Sequence, residues 1–330
     1  MPLLQTSKTD RRRQDRRVQG FLNVYKVPGP TSHDVVARIR KVLPGVRVGH
    51  GGTLDPAAEG VLPICLGGAT KYFDYLLESR KTYLATVRLG VITDTQDRDG
   101  EVVEERPVGE VDAKAFEKLL AEFEGEIDQV PPMYSARRHQ GKRLYELARA
   151  GVEVERASQK GRVYGIRLLS IEGPEVTFEV ECGRGTYVRT LCHDIGEAWG
   201  AGGHLARLTR KAVGVFRAEE AVSVEEAEER IARGKLADLL IPVTEGLAFL
   251  PAASLLRVPS GGLKRGLWII EGVFTREIPE GPPGSHVRLV DGSGRTLALA
   301  RIMPGEPARL QVRKVVNAQA GAANGSRSAD

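Results

Sequence analysis

Nowhere in these 330 residues does an apolar run approach the roughly 20 residues that a membrane-crossing helix needs, so no membrane partner is expected. The opening Met1-Pro2-Leu3-Leu4 gives way at once to polar and basic residues, which excludes the apolar core of a secretion signal. Only three cysteines occur, Cys65, Cys182 and Cys192. Their wide separation fits neither a disulfide framework nor zinc-ligand spacing, and a reducing, cytoplasmic setting follows as the expectation. Cys192-His193-Asp194 places one thiol beside one imidazole, which makes neither a metal cluster nor a protease triad. There is no glycine loop ending in Gly-Lys-Ser/Thr, no dinucleotide fingerprint and no internal repeat. No metal and no cofactor are therefore expected.

Net charge is modest at +5, but it is gathered in blocks. Residues 1–19 carry six basic side chains against two acidic ones. Residues 131–162 carry eight (Arg137, Arg138, Lys142, Arg143, Arg149, Arg156, Lys160, Arg162) against three, and residues 250–316 carry ten against five. The rest of the chain is acidic. A solvated charged face explains any one block; three together favour a surface for a polyanion such as nucleic acid.

Residues 1–19, with Arg11-Arg12-Arg13 and Arg16-Arg17, read as a disordered basic arm, and 317–330 as a frayed polar tail. Between them the pattern alternates. Phe21–Tyr25 reads as a strand. Thr31 with Asp34 forms a capping box for a helix with Val35, Val36, Ile39 and Leu43 on one face. Val61–Leu66 is a buried strand, and a two-faced strand runs through Tyr83, Ala85 and Val87. From Asp112 a helix carries Phe116, Leu119, Leu120 and Phe123, with Gly125 past its end. Val176, Phe178 and Val180 mark a strand, after which Val188, Leu191, Ile195 and Trp199 shift to helical spacing. Arg189 thus falls near a strand-to-helix junction. Ser223 and Glu226 repeat the capping-box signature. Strands and helices mix without a βαβ rhythm, which favours α+β, with a central mixed, largely antiparallel sheet flanked by helices. After Pro251, short apolar runs (Leu267–Phe274, His286–Val290, Thr296–Ile302, Leu310–Val316) separated by Gly and Pro suggest a small β-barrel. The expected domains are 20–246 and 247–316.

The most telling stretch is Gly49-His50-Gly51-Gly52-Thr53-Leu54-Asp55-Pro56, continuing through Glu59-Gly60 into Val61-Leu62-Pro63-Ile64. It sets one carboxylate, Asp55, in a glycine-punctuated loop running into an apolar strand, where a single nucleophile is well presented. Ordinary turn chemistry explains Gly-Gly followed by Leu-Asp-Pro equally well when the segment is taken alone. It does not stand alone. In order along the chain come Lys26-Val27-Pro28-Gly29-Pro30-Thr31-Ser32-His33; Lys81-Thr82-Tyr83 with Thr93-Asp94-Thr95-Gln96-Asp97; Pro131-Pro132-Met133-Tyr134-Ser135 with His139-Gln140-Gly141-Lys142-Arg143; Gly185-Thr186-Tyr187-Val188-Arg189-Thr190-Leu191; and Gly203-His204-Leu205 through Leu208-Thr209-Arg210.

Over residues 20–250 these motifs resemble the TruB family of tRNA pseudouridine synthases. Departures at Gly51, Ala57 and Glu59 flank the carboxylate without replacing it. The resemblance implies the pseudouridine-synthase fold with an RNA-clamping insertion over 131–156, and a C-terminal RNA-binding domain of the PUA type. It implies Asp55 as nucleophile, Arg189 as its cationic partner and Tyr83 stacked on the target base. It further implies His50, Tyr187, Leu208, Arg137, Arg138, Lys142, Arg143 and Lys26 as substrate or RNA contacts. The implied substrate is the T-arm stem-loop of tRNA, converted to pseudouridine at standard tRNA position 55 on a flipped-out base. The insertion favours a stand-alone, monomeric enzyme without an obligatory protein partner. An RNA-folding chaperone with catalysis dispensable is the alternative; Asp55, Tyr83 and Arg189 together count against it. A nucleotide-dependent enzyme using Gly49–Gly52 or Gly183–Gly185 as a phosphate loop lacks the lysine such a loop needs.

Overall fold

Ten strands hydrogen-bond into one sheet in a computed structural model that describes residues 18–135, 137–152 and 154–316. The basic arm, apart from Val18 and Gln19, and the tail over 317–330 lie outside the described residues. The strands are β1 (Gln19–Lys26), β2 (Val48–His50), β3 (Glu59–Gly67), β4 (Lys81–Leu89), β5 (Gly125–Gln129), β6 (Gln159–Glu172), β7 (Glu175–Cys182), β8 (Gly203–Val213), β9 (Phe216–Arg217) and β10 (Val222–Ser223). Their order is β10-β1-β3-β8-β4-β7-β6-β5, with β2 on β3 and β9 on β8. Only β1–β10 and β3–β8 run parallel, so the sheet is mixed and largely antiparallel, as expected. Central β3 is buried from Gly60 to Gly67, the unbroken apolar run of a strand covered on both faces. In β7, buried and half-buried residues alternate strictly, the mark of a strand with one core face.

Helix α1 (Ser32–Val42) begins as its sequence dictates: Thr31 accepts from the Asp34 amide while Asp34 reaches back to the Thr31 amide. It packs Val35, Val36 and Ile39 with α6 (Val224–Ala232) over β1 and β3. At α6 only half of the expected capping box forms, Ser223 accepting from the Glu226 amide. The other main core joins β4, β7 and β8 to α3 (Ala113–Ala121) and α5 (Val188–Trp199). The helix after Asp112 is shorter than its periodicity suggested. It stops at Ala121, and Gly125, in the left-handed region at φ 101°, opens β5. Two short helices complete the large domain, α2 (Phe73–Glu78) and α7 (Val243–Gly246), and α4 (Leu144–Arg149) lies within the insertion.

Five strands form the smaller sheet: β11 (Ala252–Ser254), β12 (Trp268–Ile270), β13 (His286–Val290), β14 (Thr296–Met303) and β15 (Arg309–Val315), in the order β11-β13-β14-β15-β12. Of the apolar run Leu267–Phe274 only Trp268–Ile270 pairs as strand. Leu247 and Leu250 are buried in one cluster with Phe21, Val61, Tyr72 and Tyr75, so the larger body continues to about Pro251. Leu299 and Val316 of the small sheet enter that same cluster, and the two units share apolar packing.

Candidate active site

The loop between β2 and β3 is fastened from three sides. Ser32, the first residue of α1, donates from Oγ to the Leu54 carbonyl at 3.0 Å and accepts from the Leu54 amide at 2.8 Å. Lys26, at the end of β1, donates to the carbonyls of Val27, Pro56 and Ala58 at 3.1, 3.1 and 2.6 Å. Arg210 of β8 donates from Nε to Val61 at 2.7 Å, from Nη1 to Thr53 at 3.1 Å and from Nη2 to Gly52 at 3.1 Å. Lys26 is fully buried and Arg210 is 1% exposed. A buried cation must be satisfied by oxygens, and here four of the six are the loop's own carbonyls, those of Gly52, Thr53, Pro56 and Ala58. The close approach of β8 also dictates Gly60, which has φ 111°; an added Cβ would lie 2.3 Å from the Arg210 carbonyl.

Held in this way, Asp55 presents a carboxylate that is 44% exposed, with one oxygen 3.1 Å from Nε of Arg189. Arg189 is the second residue of α5, at the junction expected from the sequence, and is almost wholly buried. Its Nη1 donates to Asp97 Oδ2 at 3.1 Å and to the Thr95 carbonyl at 3.3 Å. Its Nη2 donates to the Tyr134 carbonyl at 2.7 Å. Asp97 is itself fixed, accepting from Thr95 Oγ1 at 2.6 Å and from the Asp99 amide at 3.1 Å. The adjoining Gln96 adopts φ 62° and accepts from Thr190 Oγ1 at 2.8 Å. A planar guanidinium bonded along several edges has little rotational freedom, which fixes its distance to Asp55.

Tyr83 lies on β4, opposite Arg210 of β8 in the ladder. Burial pushes its phenol pKa up, while the charge of Arg210 and a hydrogen bond from it pull the other way. His50 ends β2, packs edge-on to Phe73 at 6.4 Å and has its pKa lowered, first by burial and then by Arg210. Its Nδ1 is buried without a partner among the described residues. A cavity of 720 Å³ opens beside it, lined also by His33, Arg40, Arg47 and Phe73. Tyr187 is the residue before α5, and its backbone exchanges two hydrogen bonds with the Gln129 side chain at 2.9 and 3.1 Å. Leu208 of β8 is partly buried against the apolar core, opposite Ala85. Arg137 is exposed and donates to Gln159 Oε1 at 2.6 Å. Arg138 pairs through its backbone with Arg143, and His139 with Lys142, in a two-stranded ribbon within the insertion.

Lys26 departs from its expected place among the RNA contacts. Its ammonium lies inside the protein, all three bonds go to carbonyls, and burial pushes its pKa down to about 8. It supports the loop instead. Sequence reasoning assigned no role to Asp97 or Arg210, though both lie in quoted motifs. Each sits among other charged residues, Asp94, Arg98 and Asp99 around the first and Arg207 and Lys211 around the second, so nothing local singles it out. Among the described residues no group of three or more His, Cys, Asp or Glu is placed to hold a metal ion. No helix among them is long and apolar enough to cross a membrane.

A family profile described as TruB family pseudouridylate synthase (N terminal domain) matches residues 40–188. A second, described as tRNA pseudouridylate synthase B C-terminal domain, matches 189–248. The tRNA pseudouridine synthase B of Nitrosococcus oceani is 41% identical over 316 residues, spanning 95% of this chain and all of that one. This chain belongs to the TruB family. The family's tRNA pseudouridine synthase B from Moorella thermoacetica is 43% identical over 295 residues, spanning 87% of this chain and 95% of its own. Among solved structures, the Cbf5 chain of a Cbf5-Nop10-Gar1 complex superposes with a TM-score of 0.68 at 27% identity, covering 92% of this chain and 86% of that one. An archaeal box H/ACA Nop10-Cbf5 complex gives 0.64 at 26% identity, covering 92% and 89%. The TruB-type fold carries the Asp55–Arg189 pair, while the small C-terminal sheet lies beyond both family profiles.

Proposed function

We propose that this enzyme converts the uridine at standard position 55 in the T-arm loop of tRNA to pseudouridine, with Asp55 as the nucleophile. The observation that carries the assignment is the 3.1 Å ion pair between Asp55 and a buried Arg189 that is itself pinned by Asp97, Thr95 and Tyr134. The reaction breaks the bond from the ribose C1′ to uracil N1 and forms one from C1′ to C5. The C5 proton is lost and N1 gains one, so the atoms balance without a redox partner. A carboxylate is sufficient to hold the fragments together. Arg189 aims that carboxylate, whose open side receives a uridine extruded from the RNA stack at a cost of a few kcal/mol. Tyr83 provides a ring for the base and a phenol for proton movement. In this reading His50 and Tyr187 contact the target nucleotide, and Arg137, Arg138, Lys142 and Arg143 supply charge for RNA phosphates. The enzyme works as a cytoplasmic monomer in this reading, without a cofactor.

Purified protein incubated with a T-arm stem-loop transcript, nothing else added, should yield pseudouridine detectable by nucleoside mass spectrometry. Asp55→Asn should remove product while changing RNA affinity by less than about threefold, since truncating a reacting group removes transition-state stabilisation rather than uniform binding. Full activity in Asp55→Asn refutes the mechanism. Absence of product with wild type, alongside accelerated tRNA folding, favours the chaperone reading.

A further inference from the structure

Gln96 holds a backbone conformation that suits glycine. Its φ of 62° lies in the left-handed region, and among the described non-glycine residues only Gln140 shares that departure. Three contacts keep it there. Its amide donates to the Thr93 carbonyl at 3.2 Å, its carbonyl accepts from the Leu205 amide at 3.0 Å, and its side-chain Oε1 accepts from Thr190 Oγ1 at 2.8 Å. The Arg98 amide donates back to the Leu205 carbonyl at 3.0 Å, so β8 grips the chain on both sides of Asp97. Strain of this kind persists only where the surroundings over-determine it, and it gathers at functional sites. The backbone bonds account for the bend. They do not account for the carboxamide, which glycine would dispense with at lower strain.

Thr190 is 3% exposed and directly follows Arg189 in the first turn of α5. These two neighbours hold three consecutive residues of the 95–97 turn. Arg189 Nη1 takes the Thr95 carbonyl and Asp97 Oδ2, while Thr190 takes the Gln96 side chain. The grip of Arg189 passes through one long side chain, which can carry the turn with it when it moves. Thr190 is short and stiff at χ1, so its bond ties the turn to the helix itself. At the other end, the over-determined backbone of Gln96 anchors the carboxamide. The tether is also uncharged. A carboxylate at this position would compete with Asp55 and Asp97 for the same cation. We infer that Gln96 and Thr190 are positioning residues: they lock the turn to the helix, so that Asp97 and Arg189 keep one orientation and Asp55 meets its cation at one place. The catalytic consequence rests on the proposed role of Asp55; the effect on Arg189 rests on the tether alone.

The test uses the full chain and a complete tRNA transcript. Gln96→Gly keeps the bend, relieves its strain and deletes the tether. Its thermal midpoint should be no lower than that of wild type and its Kd for tRNA should stay within about twofold, while kcat at saturating tRNA falls at least about tenfold. Thr190→Val should lower kcat to a similar extent, and Thr190→Ser, which keeps the hydroxyl, should recover at least about half of the wild-type value. Gln96→Gly combined with Thr190→Val should be no slower than the worse single variant, since both delete one contact. The Arg189 Nε–H resonance in nitrogen-15-labelled protein, identified by its loss in Arg189→Lys, gives a readout independent of turnover. Its exchange with solvent should quicken at least about fivefold in Gln96→Gly. Wild-type kcat in Gln96→Gly, additive losses in the double variant, or unchanged exchange overturns the inference. A midpoint that falls in step with kcat overturns it as well, the carboxamide then serving stability alone. A wild type that makes no pseudouridine, yet shows the faster exchange on Gln96→Gly, fails the catalytic reading and leaves the tether standing.

Discussion

Arg189 distributes its donors over four oxygens, one of them on the proposed nucleophile. Lysine at this position has the charge but not the fork, so it holds Asp55 or Asp97 and not both in plane. Misplacement of a reacting group by 1 Å costs on the order of 100-fold. Arg189→Lys is therefore expected to lower kcat by at least about 100-fold with tRNA Kd nearly unchanged, measured by single-turnover kinetics; a loss confined to KM speaks against the role. Lys26 gives a pH signature. Burial takes its pKa from 10.5 to about 8. Between those values the unfolded chain holds a proton that the native protein has released, so stability supplied by this group rises with pH across that window, and the buried charge costs most below 8. In urea unfolding, the difference between wild type and Lys26→Met should move in favour of wild type by about 2 kcal/mol from pH 7 to pH 10. A difference that is flat or shrinks over that range contradicts the buried-cation account.

At the scale of elements, the Asp55 loop depends on two strands approaching closer than a side chain permits. Gly60→Ala places a methyl 2.3 Å from a β8 carbonyl at φ 111°, so either the β3–β8 pairing or the loop must shift. Calorimetry should show at least about 2 kcal/mol of destabilisation, and activity should fall further than stability explains because the loop carries Asp55. A variant with wild-type midpoint and rate refutes this reading of the glycine. Much of the element plan was legible beforehand because its causes are local: Thr31 with Asp34 for α1, the change of period that set Arg189 at the head of α5, the strict alternation of β7. What stayed hidden depends on tertiary contact. Nothing local tells that Lys26 turns inward, that Arg210 crosses from β8 to the carbonyls of Gly52, Thr53 and Val61, or that Asp97 meets Arg189 across 92 residues of chain. The extent of the helix after Asp112 was misjudged because Phe123 continues the apolar spacing beyond Ala121, the last helical residue.

At the scale of the molecule, the two sheets are joined through apolar packing. Leu299, fully buried on β14, shares a cluster with Tyr72, Tyr75 and Phe21 of the larger domain. Leu299→Ala should cost about 2–5 kcal/mol and lower one common unfolding transition, followed by circular dichroism and, in a Trp199→Phe background that leaves Trp268 as the emitter, by fluorescence together. If the fluorescence transition moved alone while the bulk ellipticity kept its midpoint, the domains would be shown to unfold independently. The polar contact between Glu78, His286 and Arg301 lies over the same seam and adds direction to what the apolar cluster supplies in energy.

One bond of Arg189 reaches outside this frame. Its Nη2 ends on the carbonyl of Tyr134, among the first residues of the insertion. A guanidinium so secluded finds no solvent to replace a departing acceptor, and a stranded N–H costs about 1–3 kcal/mol. Whatever draws residue 134 away also unsettles the cation beside Asp55, and whatever presses it home steadies that cation. The position of residue 134 and the orientation of the cation beside Asp55 are thus linked, each constraining the other to the same extent.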